Sequence, residues 1–415
     1  MIAVLAFFCG RLHTFSGSTT YQWSSGTVSV LLFGLDTTLN FTYPWPSGKS
    51  SGLSRFAAKM HPICENATKF KYAGVNQAGA EFGNNVIPGS LGNSLHLACP
   101  KVCDGSSSFY LQAQIPRHSS IGYFVKEGFN TFRVPFQQER LSPPETGIDG
   151  PFEPVYLAGL KQTVDYITNT KGAYAAIEPH NFMIYNGSFI TDAEALAKFW
   201  TNVATEFKDN DKVIFDIMNE PHTQEAKIVF ELNQASVNAI REAGATTQLI
   251  LVEGTAWTGA WTWTGYSGNG LVFGAITDPY NNTAIEMHQY LDSDGSGTSP
   301  VCVSPTIGVE RISDATRWLK EHNLKGFLGE LGAGSNPDCI AAVKGALCHL
   351  QQSDVWIGER EMFLLSIRRV SHNPSSQVLQ WWSAGPWWGD YFQSIEPPNG
   401  PALAELYPQA IKPFL

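Results

Sequence analysis

Short apolar runs alternate with stretches of helical period along most of this chain. Runs at 70–75, 129–136, 173–179, 213–219, 248–253, 284–290, 326–330 and 378–383 are rich in Val, Ile, Phe and Ala, are bounded by polar or turn-forming residues, and predict eight strands. Between them the period lengthens. Thr191-Asp192-Ala193-Glu194 reads as a capping box, and Leu196, Ala197, Trp200, Val203, Ala204 and Phe207 follow it on one helical face. Ile228, Leu232, Ala235 and Ala239 mark another helix, and 155–170, 310–322 and 338–351 mark three more. Eight strands alternating with helices over about 345 residues predict an α/β (β/α)8 TIM barrel in preference to a doubly wound sheet.

Two segments fit this pattern poorly. Residues 1–66 mix Ser, Thr and Gly with scattered aromatics and show no sustained period, so they read as a leader plus an irregular or linker segment ahead of a barrel domain at 67–415. Residues 97–116, after the first predicted strand, carry two cysteines and no period, and read as an inserted loop. The apolar start, Ile2 to Phe8 followed by Gly10 and Arg11, resembles a secretory leader, which predicts an extracellular protein. Removing it would take Cys9 from the seven cysteines and leave an even six, as disulfides prefer. Four sequons, at Asn40, Asn66, Asn186 and Asn281, are compatible with glycosylation.

Charge narrows the partner. The formal net charge is −10 with only 15% charged residues, and no basic stripe of the kind that phosphate binding needs is present, which argues against nucleic acid. Apart from the leader, no run is long enough to span a membrane. The Cys99-x₃-Cys103 spacing lacks a second ligand pair, so neither a metal nor a cofactor is expected. Twelve Trp, 14 Tyr and 25 Phe exceed the needs of a core, and several lie near Gly and Asn, where a ring can stack on the flat apolar face of a sugar.

In a barrel of this kind the C-terminal strand ends form the active face, so the residues that close each run carry the information. In order they are Arg133, His180, Asn219 with Glu220, His288 with Tyr290, Glu330, and Trp381 with Trp382. Two glutamates on separate strand tips, flanked by Arg, His and Tyr, are what cleavage of a glycosidic bond requires: one carboxyl protonates the leaving oxygen and the other attacks the anomeric carbon. Each residue also has a plainer role open to it. A lone Glu can be a salt-bridge partner, Arg133 can seal the barrel as an ion pair, and a His can be a satisfied core residue. Strand alternation leaves open which of Trp381 and Trp382 faces the cleft. Asp292 and Asp294 in "LDSDGSG" lack the glutamate that would complete a Ca²⁺ loop, and read as a turn.

The motifs "FRVPF", "EPHN", "IMNEP", "MHQYLDSDGSG", "FLGELG" and "WWSAGPWWGDY" resemble those of the fungal endo-β-1,4-glucanase branch of glycoside hydrolase family 5, over about residues 69–358 and 381–415. The resemblance implies a retaining endo-β-1,4-glucanase on a (β/α)8 barrel, acting on cellulose or mixed-linkage β-glucan, monomeric and without a cofactor. It makes Glu220 the general acid/base and Glu330 the nucleophile, with Arg133, His180, Asn219, His288 and Tyr290 as the polar shell and Asn219 on the sugar 2-hydroxyl. It favours Trp382 as the platform ring, and Trp257 and Trp261 in "TAWTGAWTWTG" as the wall for further glucose units, where Trp263 completes the run and at least one of the three rings is packing. It also places a disulfide between Cys302 and Cys339. Another β-glycanase activity, such as mannan hydrolysis, and an inactive carbohydrate-binding homologue are the alternatives.

One segment departs from the family. Relatives run almost directly from the equivalent of "SDVWIG" into "WWSAGPWWGDY", whereas 22 residues, 359–380, intervene here. Two stretches, 355–358 and 377–382, therefore compete for the eighth strand. The one joined to Trp382 is expected to form it, the rest looping out at the bottom of the barrel as a retained intron or an error of gene structure, with a tolerated insertion as the alternative.

Overall fold

The computed structural model describes residues 28–31, 38–41, 67, 69–82, 114–357 and 378–415. The chain divides into two compact units, Met1–Met60 and His61–Leu415. In the first, Val28–Leu31 and Thr38–Phe41 pair antiparallel with Val28 opposite Phe41, a hairpin that the sequence reading did not assign. Strands of four residues are too short for a period to show above a Ser- and Thr-rich background.

The second unit is a closed barrel of eight parallel strands in sequence order: Tyr72–Gln77, Thr131–Phe136, Tyr174–Pro179, Val213–Asp216, Ile250–Glu253, Thr283–Tyr290, Gly326–Gly332 and Val378–Ala384. The predicted strand starts shift for local reasons. Phe70 leaves the ladder to stack on Phe414 at 5.2 Å, so the first strand begins at Tyr72. The Phe129 N–H closes the preceding helix onto the Phe124 carbonyl at 3.0 Å, so the second begins at Thr131. Gln248 turns its side-chain amide to the carbonyls of Lys208 and Asn210, which delays the fifth strand to Ile250.

Helices cover the barrel. The helix after the third strand runs Ala193–Phe207, and its cap is Asp192, one residue beyond the expected Thr191: the Asp192 carboxylate accepts from the N–H groups of Glu194 and Ala195. Leu196, Phe199, Trp200, Val203, Ala204 and Phe207 then face the sheet. In the helix Ala226–Glu242 the buried stripe is Val229, Leu232, Val237 and Ile240, so the predicted stripe through Ile228 and Ala235 was out of phase except at Leu232 and Ala239. Further helices are Gln114–Glu127, Pro154–Asp165, Ile307–His322 and Pro337–Gln352. The first begins inside the predicted loop at 97–116; residues 97–113 lie outside the described ones. Among the described residues no helix is long and apolar enough to cross a membrane.

Both stretches that competed for the eighth strand are in the barrel wall. Val378–Ala384, which carries Trp382, forms the strand and pairs with the first strand from Val378 opposite Tyr72. Trp356 takes an isolated bridge beside Gly326 at the start of the seventh strand, where the Gly326 N–H donates to the Val355 carbonyl at 2.7 Å. The intervening segment, with the expectation of an extra loop or retained intron, lies outside the described residues.

Candidate active site

The barrel's interior is charged. Arg133, on the second strand, is fully buried and lies within 3.4 Å of five carboxylates from five other strands or strand ends: Glu178 at 3.2 Å, Asp216 at 2.7 Å, Glu253 at 3.1 Å, Glu286 at 3.4 Å and Glu330 at 2.9 Å. Alternation along consecutive strands makes this possible, because each acid replaces one inward-facing apolar residue in an otherwise Val- and Ile-rich run. Room is made by glycine: a Cβ on Gly329 of the seventh strand would come within 1.5 Å of the Glu286 carboxylate.

Above this centre the predicted residues converge. Arg133 donates through Nη1 to Glu330 Oε1 and through Nη2 to Asn219 Oδ1, each at 2.9 Å. The Tyr290 hydroxyl donates to the other Glu330 oxygen. Asn219 is held from both ends, since its Nδ2 meets His180 Nε2 at 3.2 Å while His180 Nδ1 meets Glu178 at 2.9 Å. His288 Nδ1 is 2.7 Å from Glu220 Oε1. One carboxylate oxygen each of Glu220 and Glu330 and a nitrogen of His288 all lie within 4.8 Å of one another.

Electrostatics separates the two glutamates. Burial, and then the charge of Glu330, hold the Glu220 carboxyl protonated well above the ordinary range. Burial also raises Glu330, but Arg133, His180 and the Tyr290 hydroxyl pull it back toward the ionised form. Burial and the Arg133 charge keep His288 neutral. Below them, burial and neighbouring carboxylates push Glu178, Glu253 and Glu286 well up, so that one guanidinium is not left facing five negative charges.

The aromatic assignments divide. Trp382 stacks on His180 at 5.6 Å and 15°, whereas Trp381 is fully buried and donates its indole N–H to the Gln393 carbonyl at 2.8 Å. Trp257 and Trp261 are 51% and 43% exposed, Trp257 stacking on His222 and Trp261 lying over the Arg311 guanidinium at 4.3 Å. Trp263 is the packing residue, buried against Phe273 and Trp318. Asp292 anchors its turn, accepting from the N–H groups of Gly297, Thr298 and Ser299.

A disulfide joins Cys302 and Cys339. Among the described residues, two sets of side chains have the donor types to hold a cation, Glu220, His288 and Glu330, and Glu253, Glu286 and His288; Arg133 already lies against three of those four carboxylates. Sequence reasoning missed Glu178, Asp216, Glu253 and Glu286 as parts of the centre, and also Asn76, whose Oδ1 accepts from Arg133 Nη1 at 3.1 Å. The available signal was an acid within an apolar strand, as in "AAIEP", "VIFD", "ILVE" and "AIEMH".

Comparison with known proteins gives this geometry a family. Residues 92–358 match the model described as Cellulase (glycosyl hydrolase family 5). Endoglucanase 3 of Humicola insolens is 44% identical over 333 residues, covering 80% of this chain and 74% of its own length. An endo-β-1,4-glucanase of Xanthomonas axonopodis pv. citri is 32% identical with a TM-score of 0.68, covering 83% of this chain and 100% of its own. XacCel5A, solved in complex with cellopentaose, is 34% identical with a TM-score of 0.66 over 83% of this chain and 99% of its own. On its eight-stranded barrel, its sequence and its relatives, the chain belongs to glycosyl hydrolase family 5, the cellulase family.

Proposed function

We propose that this protein is a retaining endo-β-1,4-glucanase that cleaves internal bonds of cellulose or mixed-linkage β-glucan by double displacement. Glu220, protonated at rest, gives its proton to the glycosidic oxygen while Glu330 attacks the anomeric carbon. Glu220, now ionised, then takes a proton from the water that releases the glycosyl-enzyme. Arg133 and Tyr290 hold the Glu330 oxygens in place, Asn219 receives the sugar 2-hydroxyl, and the Trp382, Trp257 and Trp261 rings offer flat faces for glucose units.

The observation that carries this reading is the closeness of the two carboxylates. Retaining enzymes place their carboxyl groups about 5–5.5 Å apart and inverting ones about 6.5–9.5 Å. Glu220 and Glu330 bring one oxygen each within 4.8 Å of the other, which supports the retaining arrangement over the wider inverting one. Secretion accords with the Cys302–Cys339 disulfide and with the exposed sequons at Asn186 and Asn281; Asn186 sits with Gly187 in a two-residue hairpin turn, both at positive φ. A single chain supplies every residue named, so one copy carries a complete site.

Hydrolysis of cellopentaose followed by proton NMR tests the mechanism. The first product should carry the β anomer. An initial α anomer overturns the assignment, and faster hydrolysis of mannan than of carboxymethyl-cellulose overturns the substrate.

A further inference from the structure

Glu220 sits in a strained backbone. Its φ is +43°, in the left-handed region that a residue with a Cβ enters only at a cost and keeps only where its surroundings enforce it. Backbone bonds of Asn219 to Pro179 and Phe182 hold the preceding residue, and three further contacts come from the fifth strand and the loop that follows it. The Glu220 N–H donates to Glu253 Oε2 at 2.7 Å. The Trp257 N–H donates to the Pro221 carbonyl at 3.0 Å, and the Thr255 hydroxyl to the Gln224 carbonyl at 2.7 Å. That loop is itself unusual, with Ala256, Trp257 and Thr258 all at positive φ. Glu253 is its root, fully buried, and its other oxygen accepts from Arg133 Nη2 at 3.1 Å.

We infer that Glu253 is a positioning residue for the reaction: it clamps the Glu220 backbone to the Arg133 guanidinium that also holds Glu330, and so fixes where the acid/base carboxyl stands relative to the nucleophile. This rests on the acid/base assignment of Glu220 proposed above. The connection is continuous, from the Glu220 N–H through the Glu253 carboxylate and Arg133 to Glu330 Oε1. Both groups that face it are donors, so each of its two oxygens must offer a lone pair. Glutamine offers one acceptor and would turn its NH₂ toward the other donor, and aspartate is one methylene too short to span them.

The test separates positioning from plain structural support through the leaving group. A cellopentaose bond needs its leaving oxygen protonated, whereas a dinitrophenyl β-cellobioside does not, and kcat/KM reports the first bond cleavage for both. For Glu253→Gln, kcat/KM on cellopentaose should fall by about 100-fold, the scale of a 1 Å misplacement, while on the aryl glycoside it should fall by less than about 5-fold. Glu253→Asp, which keeps a carboxylate opposite Arg133, should give the same split if the glutamine variant does not fold. Equal losses on both substrates, or no loss on either, overturn the proposal. Glu220→Ala runs as the reference: if that variant itself lacks the split, the acid/base assignment fails and the positioning role falls with it, whereas a split in Glu220→Ala alone removes only Glu253.

Discussion

Two buried arginines answer the same problem in opposite ways. Arg241, in the last turn of the helix Ala226–Glu242, meets one carboxylate, Asp278, through two parallel bonds of 2.9 Å, and its remaining donors reach the carbonyls of Ala245 and Asn282. Asp278 is equally well served, accepting from the N–H groups of Tyr280 and Asn282 and from the Thr283 hydroxyl. Burial alone would raise its pKa, but those donors bring it down to about 2. Arg133 instead faces five carboxylates, three of them pushed well above their ordinary range. One cation saturated by one anion lowers a pKa and stabilises a fold. One cation divided among several acids leaves some of them with raised pKa values.

If that contrast holds, substitutions at the two centres should damage different properties. The largest effect belongs to Glu330→Gln, which removes the carboxylate proposed as the nucleophile and should lower kcat on carboxymethyl-cellulose by on the order of 10⁴ or more while the melting temperature changes little. Arg133→Lys should damage both properties, because an ammonium cannot reproduce the fork that reaches Asp216, Asn219, Glu253 and Glu330 together. Denaturant unfolding should show a loss of about 3–5 kcal/mol, and residual activity should fall roughly 100-fold.

Asp278→Ala tests the other side. It leaves Arg241 without its carboxylate and should cost about 2–4 kcal/mol in urea unfolding with kcat within about twofold of the parent. A drop in kcat at constant KM would show that the two centres are not independent.

The smallest effect is in pH. The folded pKa of Asp278 is depressed, so its contribution is fully present above the unfolded value of about 3.9 and is lost as pH falls through about 2. After discounting for solvent screening it should be worth about 1 kcal/mol, read as a stability gap between parent and Asp278→Asn that narrows from pH 5 to pH 2. Glu220 carries the opposite sign in activity: its pKa is raised, so kcat/KM should be retained at acid pH and lost as pH rises through it.

The strands and their polar ends were legible because a parallel barrel strand is an uninterrupted apolar run that stops where it meets solvent. Arg133, His180, Glu220, His288, Tyr290 and Glu330 were found in this way, and they meet in one centre. Trp382 needed the family motif, since alternation alone could not choose it over Trp381. Helix faces were legible where large side chains set the phase, as Leu196, Trp200 and Phe207 do, and were misjudged in Ala226–Glu242, where alanines blur the stripe. The acids at 178, 216, 253 and 286 were passed over because each sits inside an apolar run, where composition says only that one position is polar.

Sequence by itself determined the number and order of the barrel strands, the two glutamates at their tips and the family to which the motifs belong. All of these are local, written in residue type and spacing. Tertiary structure decided that five strands each contribute one acid to a single guanidinium, that Glu220 takes a left-handed backbone, and that Trp261 rests on Arg311. Those facts depend on register around a closed barrel, where residues more than 100 positions apart, such as Arg133 and Glu253, come within 3.1 Å of each other. Charge coupling falls off with distance in space and not with separation along the chain, so no reading of the sequence alone could have assigned the protons.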